Sequence, residues 1–366
     1  TQSTEENTVL DSTVPAATDV DGTIDSYQLV EDVGDGEGIL TFNADGSYSF
    51  DPGTDFDDLA EGVSRDVIFT YKAIDNDGDV SDAHMVTITV TGSNDAPVAY
   101  DDTQSSEENT VLESAVPEAT DVDGTIESYQ LVENVGDGEG ILTFNADGSY
   151  SFDPGTDFDD LAEGVSRDVI FTYKAIDNDG DVSDAHMVTI TVTGTNNAPV
   201  AYDDTQSTEK NTVLDSTVPA ATDVDGTVDS YQLVEDVGDG EGILTFNADG
   251  SYSFDPGSDF DDLAEGGSRY VIFTYKAIDN DGDASDVHPV TITVTGTNNA
   301  PVAYDDTQST EENTVLDSTV PAATDVDGTI ESYQLVDDVG AGNGNLSFNA
   351  DGTYSFDPDT GFDDLA

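Results

Sequence analysis

Phe69-Thr70-Tyr71-Lys72-Ala73-Ile74-Asp75-Asn76-Asp77-Gly78-Asp79, followed after a short gap by Val86-Thr87-Ile88-Thr89-Val90-Thr91, decides the fold. Phe69, Tyr71 and Ala73 alternate with Thr70 and Lys72, and Val86, Ile88 and Val90 alternate with threonines. Each run therefore has one apolar and one wet face, as a half-buried strand requires. Upstream, Ile39-Leu40-Thr41-Phe42 and Tyr48-Ser49-Phe50 flank Asn43-Ala44-Asp45-Gly46, a short loop with glycine where positive φ is needed. Gly34-Asp35-Gly36-Glu37-Gly38 punctuates the chain just before that hairpin. No stretch keeps a 3.6-residue apolar period over three turns. About seven short strands in about 100 residues predict an all-β, immunoglobulin-like Greek-key β-sandwich.

The pattern recurs. Thr1-Gln2-Ser3 returns at Thr103, Thr205 and Thr307, three steps of 102 residues. Three full periods cover residues 1–306 and leave 60 residues of a fourth. The first two copies differ at only eight of 102 positions, so identity between copies says little about which residues matter and the departures say more. Ser93-Asn94-Asp95-Ala96-Pro97, Thr195-Asn196-Asn197-Ala198-Pro199 and Thr297-Asn298-Asn299-Ala300-Pro301 each follow a last strand, where proline ends regular pairing. The expected domains are residues 1–95, lacking an N-terminal strand segment, then 96–197, 198–299 and a partial 300–366. They form tandem sandwiches in a linear string.

Charge sets the next constraint. Seven Lys and Arg stand against 81 Asp and Glu, a formal net charge of -74. Nothing basic is available to neutralise phosphates, which excludes a nucleic-acid partner, and docking on anionic lipid is disfavoured for the same reason. Cysteine is absent, so disulfides and thiolate metal sites are excluded. No apolar run approaches the roughly 18 residues of a membrane span. The opening Thr1-Gln2-Ser3-Thr4-Glu5-Glu6 lacks the basic start and apolar stretch of a signal peptide and reads as part of something longer. Hydrophobic content of 36% is enough for several small cores, provided multivalent cations relieve the repulsion.

The acids are clustered accordingly. Asp75-Asn76-Asp77-Gly78-Asp79 recurs at Asp177, Asp179, Asp181 and at Asp279, Asp281, Asp283. Oxygens at alternate positions beside a glycine suit a hard cation with six to eight oxygen ligands. The run resembles the first half of an EF-hand loop, but its twelfth position is Val86 and helices are missing, so calcium in a strand-to-strand loop is the expectation. A second cluster is Asp19/Asp21, repeated as Asp121/Asp123, Asp223/Asp225 and Asp325/Asp327. A third holds Glu6 and Glu108, with Lys210 in the third copy beside Glu209, and Glu312 in the fourth. The fourth is the linker, Asn94 and Asp95, Asn196 and Asn197, Asn298 and Asn299, with Asp101/Asp102, Asp203/Asp204 and Asp305/Asp306 just beyond. Four acidic clusters per repeat in so acidic a chain point to calcium more strongly than to polar turns alone.

The Asn94-Asp95-Ala96-Pro97 linker, the Asn43-to-Phe50 hairpin, the Phe69-to-Gly78 run and the Val86-to-Gly92 final strand resemble bacterial cadherin-like repeats, the VCBS-type extender modules of very large RTX adhesins, including marine biofilm and ice-binding adhesins. The resemblance covers essentially the whole chain. It implies type I secretion, calcium-driven folding outside the cell and calcium ions at the junctions that stiffen the string. Junction ligands would come from one repeat's Glu6-type acid, its Asp19/Asp21 pair, its Asp75-to-Asp79 loop, the linker Asn94 and Asp95, and acids of the following repeat. Lys210 departs from that pattern: the site is weakened or rebuilt if the sixth-position acid is a ligand, and unchanged if Glu209 serves instead. Asp95 becomes Asn197 and Asn299, which keeps an oxygen and drops a charge.

The remaining features read as scaffold. The Gly34-to-Gly38 loop loses both acids in the fourth copy, Gly340 to Gly344, and so reads as a turn or a dispensable site. His84, His186 and His288, one per repeat, read as ordinary strand residues. Asp57-Asp58 could form a glycosidase pair in principle, but tryptophan is absent and no aromatic-walled cleft is legible. Phe56, Leu59, Phe69 and Tyr71 are expected in the core. No enzymatic activity is expected. The leading function is a calcium-binding stalk of a secreted, cell-surface adhesin, a monomeric string whose partners are calcium and its own neighbouring repeats. A calcium-dependent glycan- or cell-binding module, or accessory repeats of a secreted polysaccharide-active enzyme, are the alternatives.

Overall fold

A computed structural model describes residues 1–362. The chain divides into two compact units, Thr1–Thr195 and Asn196–Ala366, each holding two repeats. The first repeat is built of β1 (Gln2–Glu5), β2 (Leu10–Thr13), β3 (Ile24–Glu31), β4 (Ile39–Phe42), β5 (Ser47–Asp51), β6 (Ser64–Asp75) and β7 (His84–Thr91). Four of these make one sheet, β1-β7-β6-β3, and three make the other, β2-β5-β4. All pairings are antiparallel except one: β1 runs parallel to β7, with Gln2 opposite Ile88 and Glu5 opposite Thr91.

Period-2 patterning sets which face turns inward. Along β6, Val67, Phe69, Tyr71 and Ala73 are buried while the residues between them face out, and Val86, Ile88 and Val90 do the same in β7. Tyr48 and Phe50 of the opposite sheet close on them, the Tyr48 and Phe69 rings meeting edge-on with centroids 5.0 Å apart. Such a pair adds about 0.5–1.5 kcal/mol beyond its area burial. Phe56 and Leu59, in the segment between the sheets, are buried in the same cluster. The predicted hairpin forms as β4/β5. Gly46 sits at φ +83° with Tyr27 and Val14 so near that an added Cβ would lie 2.9–3.1 Å from them. The Asp45 carboxylate beside it accepts from Ser47 N and Oγ, which holds its pKa below the usual range.

The second repeat, β8 (Asp102–Glu107) through β14 (His186–Thr193), and the third, β15 (Asp204–Glu209) through β21 (His288–Thr295), repeat this plan. Their first strands run six residues against four in β1 and pair in parallel with β14 and β21. In the fourth repeat the described residues give β22 (Leu316–Thr319), β23 (Asn345–Phe348) and β24 (Thr353–Asp357), one three-stranded sheet, and a 3-10 turn at Asp359–Phe362. Val336 is 90% exposed against 46% for its equivalent Val132. No described helix is long and apolar enough to cross a membrane.

Candidate metal sites at the repeat junctions

Within the first unit, the linker after β7 brings acids of repeats 1 and 2 together. Glu6 closes β1 by donating its amide to Thr91 O and is fully buried. Its Oε1 accepts from Ser93 N and Ser93 Oγ, both at 2.8 Å, whereas Oε2 is buried with no hydrogen-bond partner. Asn94 reaches into repeat 2, its Nδ2 donating to Asp177 Oδ2 and Asp181 Oδ2 at 2.9 Å each, and its buried Oδ1 is unpartnered. The Asp95 amide is shared between the two oxygens of Asp123 at 3.4 Å. Asp121 accepts from Asp123 N and Gly124 N on Oδ1 and leaves Oδ2 buried and unpartnered.

Electrostatics record the crowding. Burial, with Asp121 adding to it, pushes Asp123 up to about 6. Asp95 is also raised, by burial first and then by the charges of Glu6, Asp57 and Asp121. Leaving a buried polar atom unsatisfied costs about 1–3 kcal/mol, and more when it is charged. The donors are all oxygens, the chemistry a hard divalent cation takes, and Glu6 Oε2, Asn94 Oδ1 and Asp121 Oδ2 are oxygens still wanting a partner. Side chains here therefore fit calcium by type. Among the described residues, however, no group of three or more histidine, cysteine, aspartate or glutamate side chains stands arranged to hold a metal ion.

The Asp-Asn-Asp-Gly-Asp loops are turned inward on themselves. Asp75 Oδ1 accepts from the amides of Asp77 and Asp79, and Asn76 Oδ1 accepts from Thr23 N, which ties this loop to the Asp19/Asp21 turn. Asp19 itself caps that turn by accepting from Asp21 N. In repeat 2 the Asp177 carboxylate is fully buried. Burial works to raise its pKa, but Asn94 and the amides of Asp181, Gly180 and Asp179 outweigh it, and the net shift is downward.

The second unit repeats part of this set. Asn196 donates to Asp279 Oδ2 and Asp283 Oδ2, and Asn197 donates its amide to Asp225 Oδ2. Asp281 gives its amide to Asp279 Oδ1. Asp223 Oδ2 and Asp225 Oδ1 are buried without hydrogen-bond partners, and burial together with Asp225 raises Asp223. Between repeats 3 and 4 the site is differently made. Lys210, fully buried, donates from Nζ to Asp327 Oδ2 at 2.5 Å, Leu263 O at 2.8 Å and Asp261 O at 3.1 Å. Asn299 gives its amide to the same Asp327 Oδ2 and its side-chain Nδ2 to Asp261 O. Asn298 folds back on Asn299 O, and Asp325 accepts from Asp327 N.

Other sequence candidates are engaged within their own repeats. Asp101 accepts from Met187 N and pairs with His186, so those two hold its pKa down; Asp203 pairs with His288. Asp102, Asp204 and Asp306 each accept from the glutamine two residues on, and Asp305 is exposed. Glu209 ends β15 on its exposed side, while its neighbour Lys210 points inside. Glu312 accepts from the adjacent Asn313 side chain. The Gly34-to-Gly38 segment is a turn closed by Glu37, whose amide donates to Gly34 O and whose carboxylate accepts from Gly34 N. Asn343 keeps that turn in the fourth copy by donating its amide to Gly340 O and its side chain to Val339 O.

Sequence reasoning missed Asp57 and the carbonyl oxygens of the Asp-Asp-Leu segment. The Asp57-Asp58 pair is split: the Asp57 charge helps raise Asp95, while Asp58 pairs with Arg65 at 2.7 Å, the guanidinium lying 5.3 Å over Phe56. An acidic dipeptide directly after a core phenylalanine was the available signal.

Residues 1–92, 94–194 and 196–296 each match the model of the bacterial cadherin-like domain. The chain belongs to that family. Residues 298–365 match the bacterial Ig domain. Cadherin-like domains are in general calcium-binding, non-enzymatic modules of extracellular structure and adhesion. Among solved structures, the cis-dimer structure of protocadherin gammaB7 EC3-6 is similar at 14% identity, covering 97% of this chain and 89% of that one, with a TM-score of 0.51. Drosophila N-cadherin EC1-4 is 17% identical over 98% of this chain and 91% of that one, with a TM-score of 0.35. The first of these likenesses concerns the fold alone. A search of curated protein sequences finds no match. The predicted sandwich and the predicted family both hold.

Proposed function

We propose that this chain is a calcium-dependent structural extender of a secreted, cell-surface adhesin of the RTX type, delivered by type I secretion and folded outside the cell. One observation carries the reading: Glu6 Oε2, Asn94 Oδ1 and Asp121 Oδ2 are buried oxygens without partners where repeats 1 and 2 meet, beside two aspartates whose pKa values are raised. A bound calcium ion would supply the positive charge this cluster lacks. Glu6, Asp57, Asn94, Asp95, Asp121 and Asp123 would hold it, with Asp177, Asp179 and Asp181 beside them. The ion would thereby fix the linker between the first two of the domains, which we bound near residues 95, 197 and 299. In this reading length comes from repetition, and the adhesive part of the protein lies elsewhere in it.

Extracellular calcium modules bind at about 10⁻⁴ to 10⁻³ M. At 100 times its dissociation constant each site stabilises the fold by about 2.7 kcal/mol. Small-angle X-ray scattering of the chain in chelator and in millimolar calcium tests the reading. A change from a broad, flexible profile to a rod is expected. Matching profiles in the two conditions would refute the calcium dependence.

A further inference from the structure

Seven basic residues serve this chain, and six of them are three copies each of one arginine, Arg65, and one lysine, Lys72. The seventh is Lys210. It stands where the first two repeats have Glu6 and Glu108, and like them it is fully buried. A buried ammonium is costly unless all three of its hydrogens find acceptors. They do: Leu263 O, Asp261 O and Asp327 Oδ2 accept one each. The Asp327 side chain is only 1% exposed.

The equivalent place in the first unit holds four carboxylates, Glu6, Asp95, Asp121 and Asp123, with no side-chain cation among the hydrogen bonds they make. In the third repeat the glutamate has become lysine and the Asp95 equivalent has become Asn299, so two carboxylates meet one amide and one ammonium. The pKa values follow the difference: Asp123 is raised, whereas the Lys210 ammonium holds Asp327 below the usual carboxylate range. Geometry follows it as well. Asn299 N lies 2.9 Å from a single oxygen of Asp327, where Asp95 N is spread over both oxygens of Asp123 at 3.4 Å.

We propose that Lys210 is a built-in cation, its ammonium standing where the first junction takes a divalent ion, so that repeats 3 and 4 dock without metal. This rests on the calcium reading of the first junction. Two backbone carbonyls and a carboxylate around a positive centre are ligands a hard cation shares with an ammonium. The lysine satisfies both carbonyls and Asp327 Oδ2 at any calcium concentration, while Asp327 Oδ1 stays buried without a hydrogen-bond partner. The chain thus carries a junction gated by calcium and a junction that is not.

Amide hydrogen exchange on the whole chain, read by mass spectrometry in chelator and in calcium, tests this. Pro289 stands where the second repeat has Met187, so peptides starting there are unique to the third junction, and those carrying Ser93-Asn94-Asp95 are unique to the first. In chelator the Asn299 amide is expected to stay protected while Asp95 exchanges at least about tenfold faster; calcium slows Asp95 and leaves Asn299 unchanged. Asn299 exchanging fast in chelator and slowing with calcium would overturn the lysine inference alone. Asp95 indifferent to calcium would overturn both, since no ion would remain for Lys210 to replace. Two variants separate charge from packing. Lys210→Glu should lose Asn299 protection in chelator, regain it in calcium and raise the bound calcium per chain. Lys210→Met keeps the aliphatic stem and should lose protection in both conditions; if it stays protected, the ammonium is dispensable and the inference fails. The wild-type comparison stands even if either variant misfolds.

Discussion

Asn94 Nδ2 lies 2.9 Å from Asp177 Oδ2, so a side chain in the linker after repeat 1 caps the buried aspartate that organises a loop of repeat 2. The same nitrogen donates to Asp181, and Asn196 repeats the arrangement on Asp279 and Asp283. A linker made this way is part of the next domain's structure and not slack chain.

Asn94→Ala should therefore destabilise the second repeat, although residue 94 precedes it. A hydrogen bond to a charged group is worth about 1.5–3 kcal/mol, and Asp177 would keep its three backbone amides, so a loss near the lower end is expected. Thermal melts of the variant and the parent chain read it. An unchanged melt would mean the Asn94 contact contributes nothing.

Asp123→Asn should change sign with calcium. In chelator it removes one charge from a crowded buried group and should raise the melting temperature of the first junction's repeats. In calcium it removes a ligand and should lower both the melting temperature and the calcium bound. A variant that melts lower in both conditions would mark Asp123 as a purely structural residue.

Phe171→Ala should cost about 3–5 kcal/mol, the usual range for emptying an aromatic core position. Phe171 is fully buried, 5.0 Å from Tyr150 and 5.9 Å from Phe144 by ring centroids. That cost is comparable to the lower end of a domain's whole margin of about 5–15 kcal/mol. Denaturant unfolding followed by circular dichroism should show the second repeat separating from the main transition.

The parts legible in the sequence were those carried by spacing. Phe69, Tyr71 and Ala73 could only alternate, and Asn43 to Gly46 could only turn, because period 2 and a positive φ are properties of consecutive residues. The junction was harder to read. Asp101 and Asp95 look alike in a string of letters, yet Asp101 accepts from Met187 N while Asp95 is raised by the charges of Glu6 and Asp57, and only the tertiary pairing of β8 with β14 and of β1 with β7 separates them. The carbonyls of Asp261 and Leu263 leave no trace in residue type at all. Lys210 was visible as a departure, but its partners lie 51 to 117 residues away.

The parallel pairing of β8 with β14 has a mechanical consequence. Six consecutive register pairs join the strand that enters the second repeat to the strand that leaves it. Because the two run in the same direction, the chain enters at one end of the sheet and exits at the other. A pull on the two termini of the repeat then slides these strands past each other and loads the whole ladder at once, where an antiparallel terminal pair would open one hydrogen bond at a time. Resistance to tension is governed by the unfolding rate and not by equilibrium stability, and this ladder places the barrier where the tether would be stretched.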